Sequence, residues 1–233
     1  GYFFVYPAFF GEKATPEPEA GAPPTTPLPQ APPAAAPEAP VPAETPATPQ
    51  APAATPASLF RTPADETISA DIPITLDPTF LRNAIQNKTS ATPKLSEVIL
   101  TNDNGSMLVS SKLLSALFPS LGAGSFESDL TVFAYTTESG SYPGLALRVR
   151  SGVNVDSAKA AVSQIESSSN IANLFLSNPP TSSGTWKSGT AGGVATRYVI
   201  LGGGFAFNYG WVENVLIMSA SYDGLKEAVK RLQ

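Results

Sequence analysis

Residues 61–233 predict an α+β domain, a mainly antiparallel sheet with helices packed on one face, preceded by a disordered Pro/Ala-rich stalk. Three observations carry this expectation. Short runs in which apolar and polar residues alternate come in pairs around Gly-rich turns, the pattern of β-hairpins. Runs with helical spacing follow those pairs, which sets helices against a sheet. Ahead of both, residues 14–57 are almost wholly Pro, Ala, Thr, Glu and Gln, with 15 of the chain's 24 prolines and no Lys, Arg or aromatic residue. That composition buries too little apolar surface to offset the entropy of ordering it. Its prolines bias the backbone toward stiff, extended polyproline II. The expected divisions are 1–13, the end of a membrane anchor; 14–60, the linker; and 61–233, the folded domain.

The elements follow in order. The stretch from Asp71 to Lys88 holds a short extended piece and then a helix, with Asp77 as N-cap, Pro78 in the first turn, and Leu81 and Ile85 on one face. Residues 96–111 place two apolar runs around Asn104-Gly105, a type I′ hairpin signal because both central positions need positive φ. A helix over 111–118 puts Leu113, Leu114 and Leu117 on its inner face. Strands are expected over 129–137 and 144–151; in the latter, Leu145, Leu147 and Val149 alternate with Arg148 and Arg150. Asp156 caps a helix over 157–167, and IANLFL continues as a short helical piece. The polar, turn-rich residues 177–192 read as a surface loop. Three strands, 194–201, 205–212 and 214–220, precede a closing helix over 222–232, with Leu225, Ala228, Val229 and Leu232 at helical spacing. The apolar run VLIMSAS predicts a central strand, buried on both faces.

The N-terminal run YFFVYPAFF has six aromatic residues and is too short to cross a bilayer core, which takes about 20 residues. Tyr2 and Tyr6 among phenylalanines suit the interfacial end of a membrane helix whose earlier turns are not in this sequence; a mature end left by signal-peptide cleavage and a short aromatic segment packing on the domain or on a partner are the alternatives. Residues 61–233 carry 13 basic and 14 acidic side chains, so no basic field for nucleic acid exists there. The chain has no Cys and no His. That removes thiolate and Ser-His chemistry and the commonest metal ligands, and neither a cofactor nor a metal is expected.

The remaining motifs have ordinary structural readings. Gly202-Gly203-Gly204 lies between two strands, where a phosphate loop would open a helix, so it is read as a hairpin turn. Asp103-Asn104-Gly105-Ser106 lacks the rest of a calcium loop. Glu127 and Asp129, two apart in a strand, form a carboxylate pair of the kind a glycosidase uses, though acids at strand starts are commonly solvated. Phe205, Phe207, Tyr209 and Trp211 alternate and so share one strand face. They are either a platform for glycans or peptides or the core layer beneath the helices. The opposite face, Ala206, Asn208, Gly210 and Val212, is too small to make a core, which favours the second reading.

The order of elements from about 98 to 232, above all YVILGGGFAFNYGWVENVLIMSASYDGLKEAVKRL, resembles membrane-anchored extracytoplasmic domains of unknown function from bacteria of small-genome candidate phyla. Such domains stand behind one transmembrane helix and a Pro-rich spacer. The resemblance implies a single-pass location with the C-terminal domain outside the membrane, and it carries over no catalytic residue. The expected function is therefore a non-catalytic domain displayed on a stalk, whose partners are the membrane, through the N-terminus, and a protein or glycan component of the cell envelope. A structural subunit of a surface filament or secretion-type assembly is the alternative, and a carboxylate-dependent hydrolase of envelope glycans is a second.

Overall fold

The computed structural model describes residues 57–73, 76–77, 79–86, 88–102, 105–177, 179 and 184–233. The N-terminal aromatic run, the Pro/Ala-rich tract through 56, Pro78 and the turn residue Asn104 lie outside the described residues.

Among the described residues, eight strands form one sheet: β1 (Glu66–Ile72), β2 (Lys94–Asn102), β3 (Phe126–Thr137), β4 (Gly140–Val149), β5 (Lys187–Ala191), β6 (Val194–Ile200), β7 (Ala206–Val212) and β8 (Val215–Ser219), in the order β1-β2-β3-β4-β8-β7-β6-β5. β1 runs parallel to β2, and every other neighbouring pair is antiparallel. β8 is buried at all five positions and lies between β4 and β7, the central place its doubly apolar sequence predicts.

Alternation divides the strand residues between two cores. α1 (Phe80–Ile85), α2 (Ser110–Leu117) and α3 (Val155–Ser163) set Leu81, Leu113, Leu117 and Val162 against Val98, Leu145, Leu147, Leu216 and Met218. α4 (Tyr222–Leu232) differs: its Leu225, Ala228, Val229 and Leu232 pack with Leu95, Phe133, Ala146 and Ile217 on the opposite face. Helices therefore cover both faces, three on one and one on the other. The residues that β8 and β4 turn away from the first core, Val215, Ile217 and Ala146, are themselves apolar and need this cover.

α4 shares its face with a strap ahead of β1. Leu59 and Phe60 are buried, and the Phe60 ring lies 5.9 Å from that of Phe133. The Leu59 amide donates to Thr131 Oγ1 at 2.8 Å. The Arg61 and Thr62 amides both donate to the Arg231 carbonyl, at 2.7 and 3.1 Å, satisfying an acceptor at the end of α4. The Arg231 guanidinium donates to the Pro63 carbonyl and pairs with Asp65 at 2.8 Å. The folded unit thus takes in Leu59 and Phe60, two residues earlier than the composition boundary at 61.

Several local expectations shift. β1 begins at Glu66, where Ile68, Ala70 and Ile72 alternate with exposed Thr67, Ser69 and Asp71. α1 begins at Phe80, and Asp77 Oδ1 accepts the Thr79 amide at 2.7 Å in a turn ahead of it. The second arm of the 96–111 hairpin is one bridge, Thr101 to Met107, before the chain enters α2. Its leucines pull the backbone into a helix on the sheet. Asn154, not Asp156, caps α3, accepting the Ser157 amide at 3.0 Å. Within the expected 177–192 loop, Lys187–Ala191 is the edge strand β5. It turns into β6 through Gly192 (φ 58°) and Gly193 (φ 84°), the signature of a type I′ hairpin. Gly203 and Gly204, at φ 70° and 81°, make the expected turn between β6 and β7.

Candidate functional site

The aromatic row of β7 faces the first core. Phe207 is fully buried, Tyr209 nearly so, and Phe205 and Trp211 are half-buried. Trp186, from the segment leading into β5, stands edge-on to both Phe207 (6.0 Å) and Tyr209 (5.8 Å). Phe118, just past α2, meets Phe207 at 6.1 Å and 69°. Offset and edge-on contacts like these suit the ring quadrupoles. Rings covered in this way present no open platform along β7.

One polar group closes over the row. Glu166, in the turn after α3, receives Arg197 Nε and Nη2 at 2.8 and 2.7 Å, and its Oε1 accepts the Tyr209 hydroxyl at 2.7 Å. Its backbone carbonyl accepts Trp186 Nε1 at 2.9 Å, and Arg197 Nη1 reaches Ser188 Oγ at 3.0 Å. The Arg197 fork holds the Glu166 carboxyl below the usual carboxylate range, outweighing the effect of burial, with the Tyr209 hydroxyl helping. Burial first, and Glu166 second, push the Tyr209 phenol up. Arg197 is raised by the same carboxylate. This carboxylate is fully engaged with donors, so the group holds β6, β7 and the α3 turn together and keeps no free base.

At its Phe205 end the row borders an open cleft. There the Phe175 and Phe205 rings meet at 5.4 Å and 84°. With Tyr142, Pro143, Gly204 and Ser177 they line a cleft of about 210 Å³ between the β3–β4 and β6–β7 turns. Its lining is aromatic, small and uncharged and includes Ser139, Ser141 and Ser177, a setting that suits one sugar ring or peptide side chain. Phe205 is the only member of the expected quartet in this cleft. Tyr142 and Phe175 come from distant elements and gave no sequence signal; Trp186, half-buried against the row, lay in the stretch read only as a polar surface loop.

The carboxylate pair is not brought together. Glu127 Oε1 accepts the Ser151 amide at 2.8 Å and lines a cleft at the C-terminal end of β4. Asp129 lines another, of about 90 Å³, with Glu97, so the two acids face different spaces. An irregularity in the β3–β4 register between Phe126 and Leu130 breaks the alternation that would have kept the two acids on one face. Among the described residues no three acidic side chains gather to hold a metal, and no helix is long and apolar enough to cross a membrane.

No family model, no curated protein and no solved structure matches this chain.

Proposed function

We propose that this chain is a non-catalytic, membrane-tethered domain displayed outside the membrane on a Pro-rich stalk, where it docks on a protein or glycan component of the envelope. The observation that carries the reading is the strap. At the point where the Pro/Ala-rich composition ends, the chain is fastened by two buried side chains and by Arg231, which bonds to two strap carbonyl and carboxylate groups. A displayed head needs such a mount, because any load on the tether reaches the fold through the strap. Composition supports the rest. About 44 residues at roughly 3.1 Å each in polyproline II give a contour near 135 Å, and Tyr2 and Tyr6 among phenylalanines suit a membrane interface. The aromatic cleft at Phe205, Phe175 and Tyr142 is the docking site this reading assigns.

Fractionation of cells expressing the full-length gene product tests the tether. It should sediment with membranes, resist carbonate extraction, and be cut by external protease to release a fragment that begins within the Pro-rich tract. Recovery in the soluble fraction would refute the tether. Envelope fragments should be retained by the intact protein and lost with Phe205→Ala; retention unchanged by that substitution would move docking elsewhere.

A further inference from the structure

We propose that the cleft at the C-terminal end of β4 binds a phosphate group through Arg148 and Arg150. The cleft has a volume of about 440 Å³, within the range of ligand pockets. Arg148 and Arg150 are two apart at the end of β4 and both are exposed. Arg148 lies on the α4 face of the sheet, since Ala146 belongs to that core while Leu147 and Val149 belong to the other. The Arg150 guanidinium is held from beneath by Nη2, which donates to the Phe126 carbonyl at 3.0 Å. Its other N–H groups remain available. Among the described residues the Arg148 guanidinium, the Ser151 hydroxyl and the Asn214 carboxamide make no hydrogen bond or ion pair, and all three line the cleft.

The acid lining the cleft, Glu127, accepts the Ser151 amide at 2.8 Å. Every other arginine with an ion pair among the described residues meets a carboxylate: Arg61 with Glu213, Arg197 with Glu166 and Arg231 with Asp65. Among the described residues Arg148 and Arg150 form no ion pair and stand together in one cleft.

Donor arithmetic selects the ligand. Two guanidinium forks with neutral hydroxyl and amide donors beside them exceed what the two oxygens of a carboxylate can use, whereas a phosphate offers three or four oxygens to matched forks. The phosphate could belong to a soluble or polymeric phosphoester or to a lipid headgroup. The arginine cleft stands apart from the aromatic cleft, which lies at the other end of β4.

The test uses the full chain. Titration with glycerol phosphate, followed by the NMR resonances of the arginine Nε–Hε groups, should shift Arg148 and Arg150 saturably, and chloride at equal ionic strength should not. Arg148→Gln should weaken binding by at least about tenfold, as expected for a lost charge-assisted hydrogen bond. Lys187→Gln, an exposed charge on the edge strand, should leave binding unchanged. Circular dichroism would establish that the exposed Arg148→Gln variant is folded. Vesicles of phosphatidylglycerol, against phosphatidylcholine alone, give the second arm. Binding to glycerol phosphate but not to vesicles assigns a soluble or polymeric phosphoester, and binding to vesicles that Arg148→Gln abolishes assigns a headgroup. No saturable shift with either probe, or an equal loss in Lys187→Gln, overturns the site.

Discussion

Phe60→Ala isolates the contribution of the strap. The Phe60 side chain is buried against Phe133. Removing a buried phenylalanine costs about 3–5 kcal/mol, transfer and cavity together. One wall of this site is the strap itself, which can sink into the space, so the loss should fall at the lower end, about 3 kcal/mol. A domain of this size holds about 5–15 kcal/mol in all, and each kcal/mol moves Tm by roughly 2–4 °C. The melting temperature should therefore drop by about 6–12 °C. Urea unfolding read by tryptophan fluorescence suits the measurement, because Trp186 and Trp211 pack with the first core, across the sheet from the strap. Their signal reports the domain and not the strap alone. The midpoint should fall with the slope unchanged. A slope that also falls would mean that the strap has detached and that the native state buries less surface. A loss under about 1 kcal/mol with an unchanged slope would refute the reasoning: the strap would then be a passive extension, and the mount that carries the proposed function would be gone.

Two further outcomes follow from the titratable groups. Glu166 has a folded pKa below its unfolded one, so its contribution is full above the ordinary carboxylate range and is lost as pH falls through the depressed value. Tyr209→Phe, which removes one donor to it, should cost about 1 kcal/mol at neutral pH and shift the acid unfolding limb to higher pH; an acid limb identical to the parent's would contradict this. Glu97 has the opposite sign: burial holds its carboxyl above the usual range, against the Ser58 hydroxyl, so the folded state binds its proton more tightly and stability falls as pH rises through the folded pKa. Glu97→Gln should therefore stabilise the protein at neutral pH and lose that advantage on acidification, and pH-dependent melting curves would expose a gain of the wrong sign.

The legible parts of this fold were those in which one residue pattern admits one structure. The α4 sequence carries its four core residues at helical spacing, with Ser221 capping Gly224, and its expected limits coincide with the observed ones. The β8 run was apolar on both faces and had no place but the middle of the sheet. The illegible parts were those set by neighbours. Lys187–Ala191 has no apolar alternation, because an edge strand with exposed positions needs none; only Gly192-Gly193 marked it. α4 crosses to the second face because the strands expose apolar residues there, a property of the assembled sheet that no single helix pattern reveals. The aromatic row was read in the right direction, since small residues opposite it left no other core layer. Its polar cover, Glu166 and Arg197, joins residues 31 positions apart and could not be read from either segment.

Placement on the sheet limits what the two clefts can do together. β4 has ten residues, about 33 Å at strand rise. It starts at the aromatic cleft and ends at the arginine cleft, so one ligand of ordinary size cannot span both. The strap meets the sheet nearer the second: Leu59 bonds Thr131, which pairs with Ala146, two residues before Arg148 on the same face. If the phosphate is a lipid headgroup, the domain rests with its β4 C-terminus against the membrane. The aromatic cleft then points away, free for a partner in the envelope. If the phosphate is a soluble or polymeric phosphoester, no such orientation is imposed, and the two clefts instead grip an extended polymer at two points about 30 Å apart. The vesicle and glycerol phosphate arms therefore decide more than the identity of a ligand: they decide which end of the sheet faces outward.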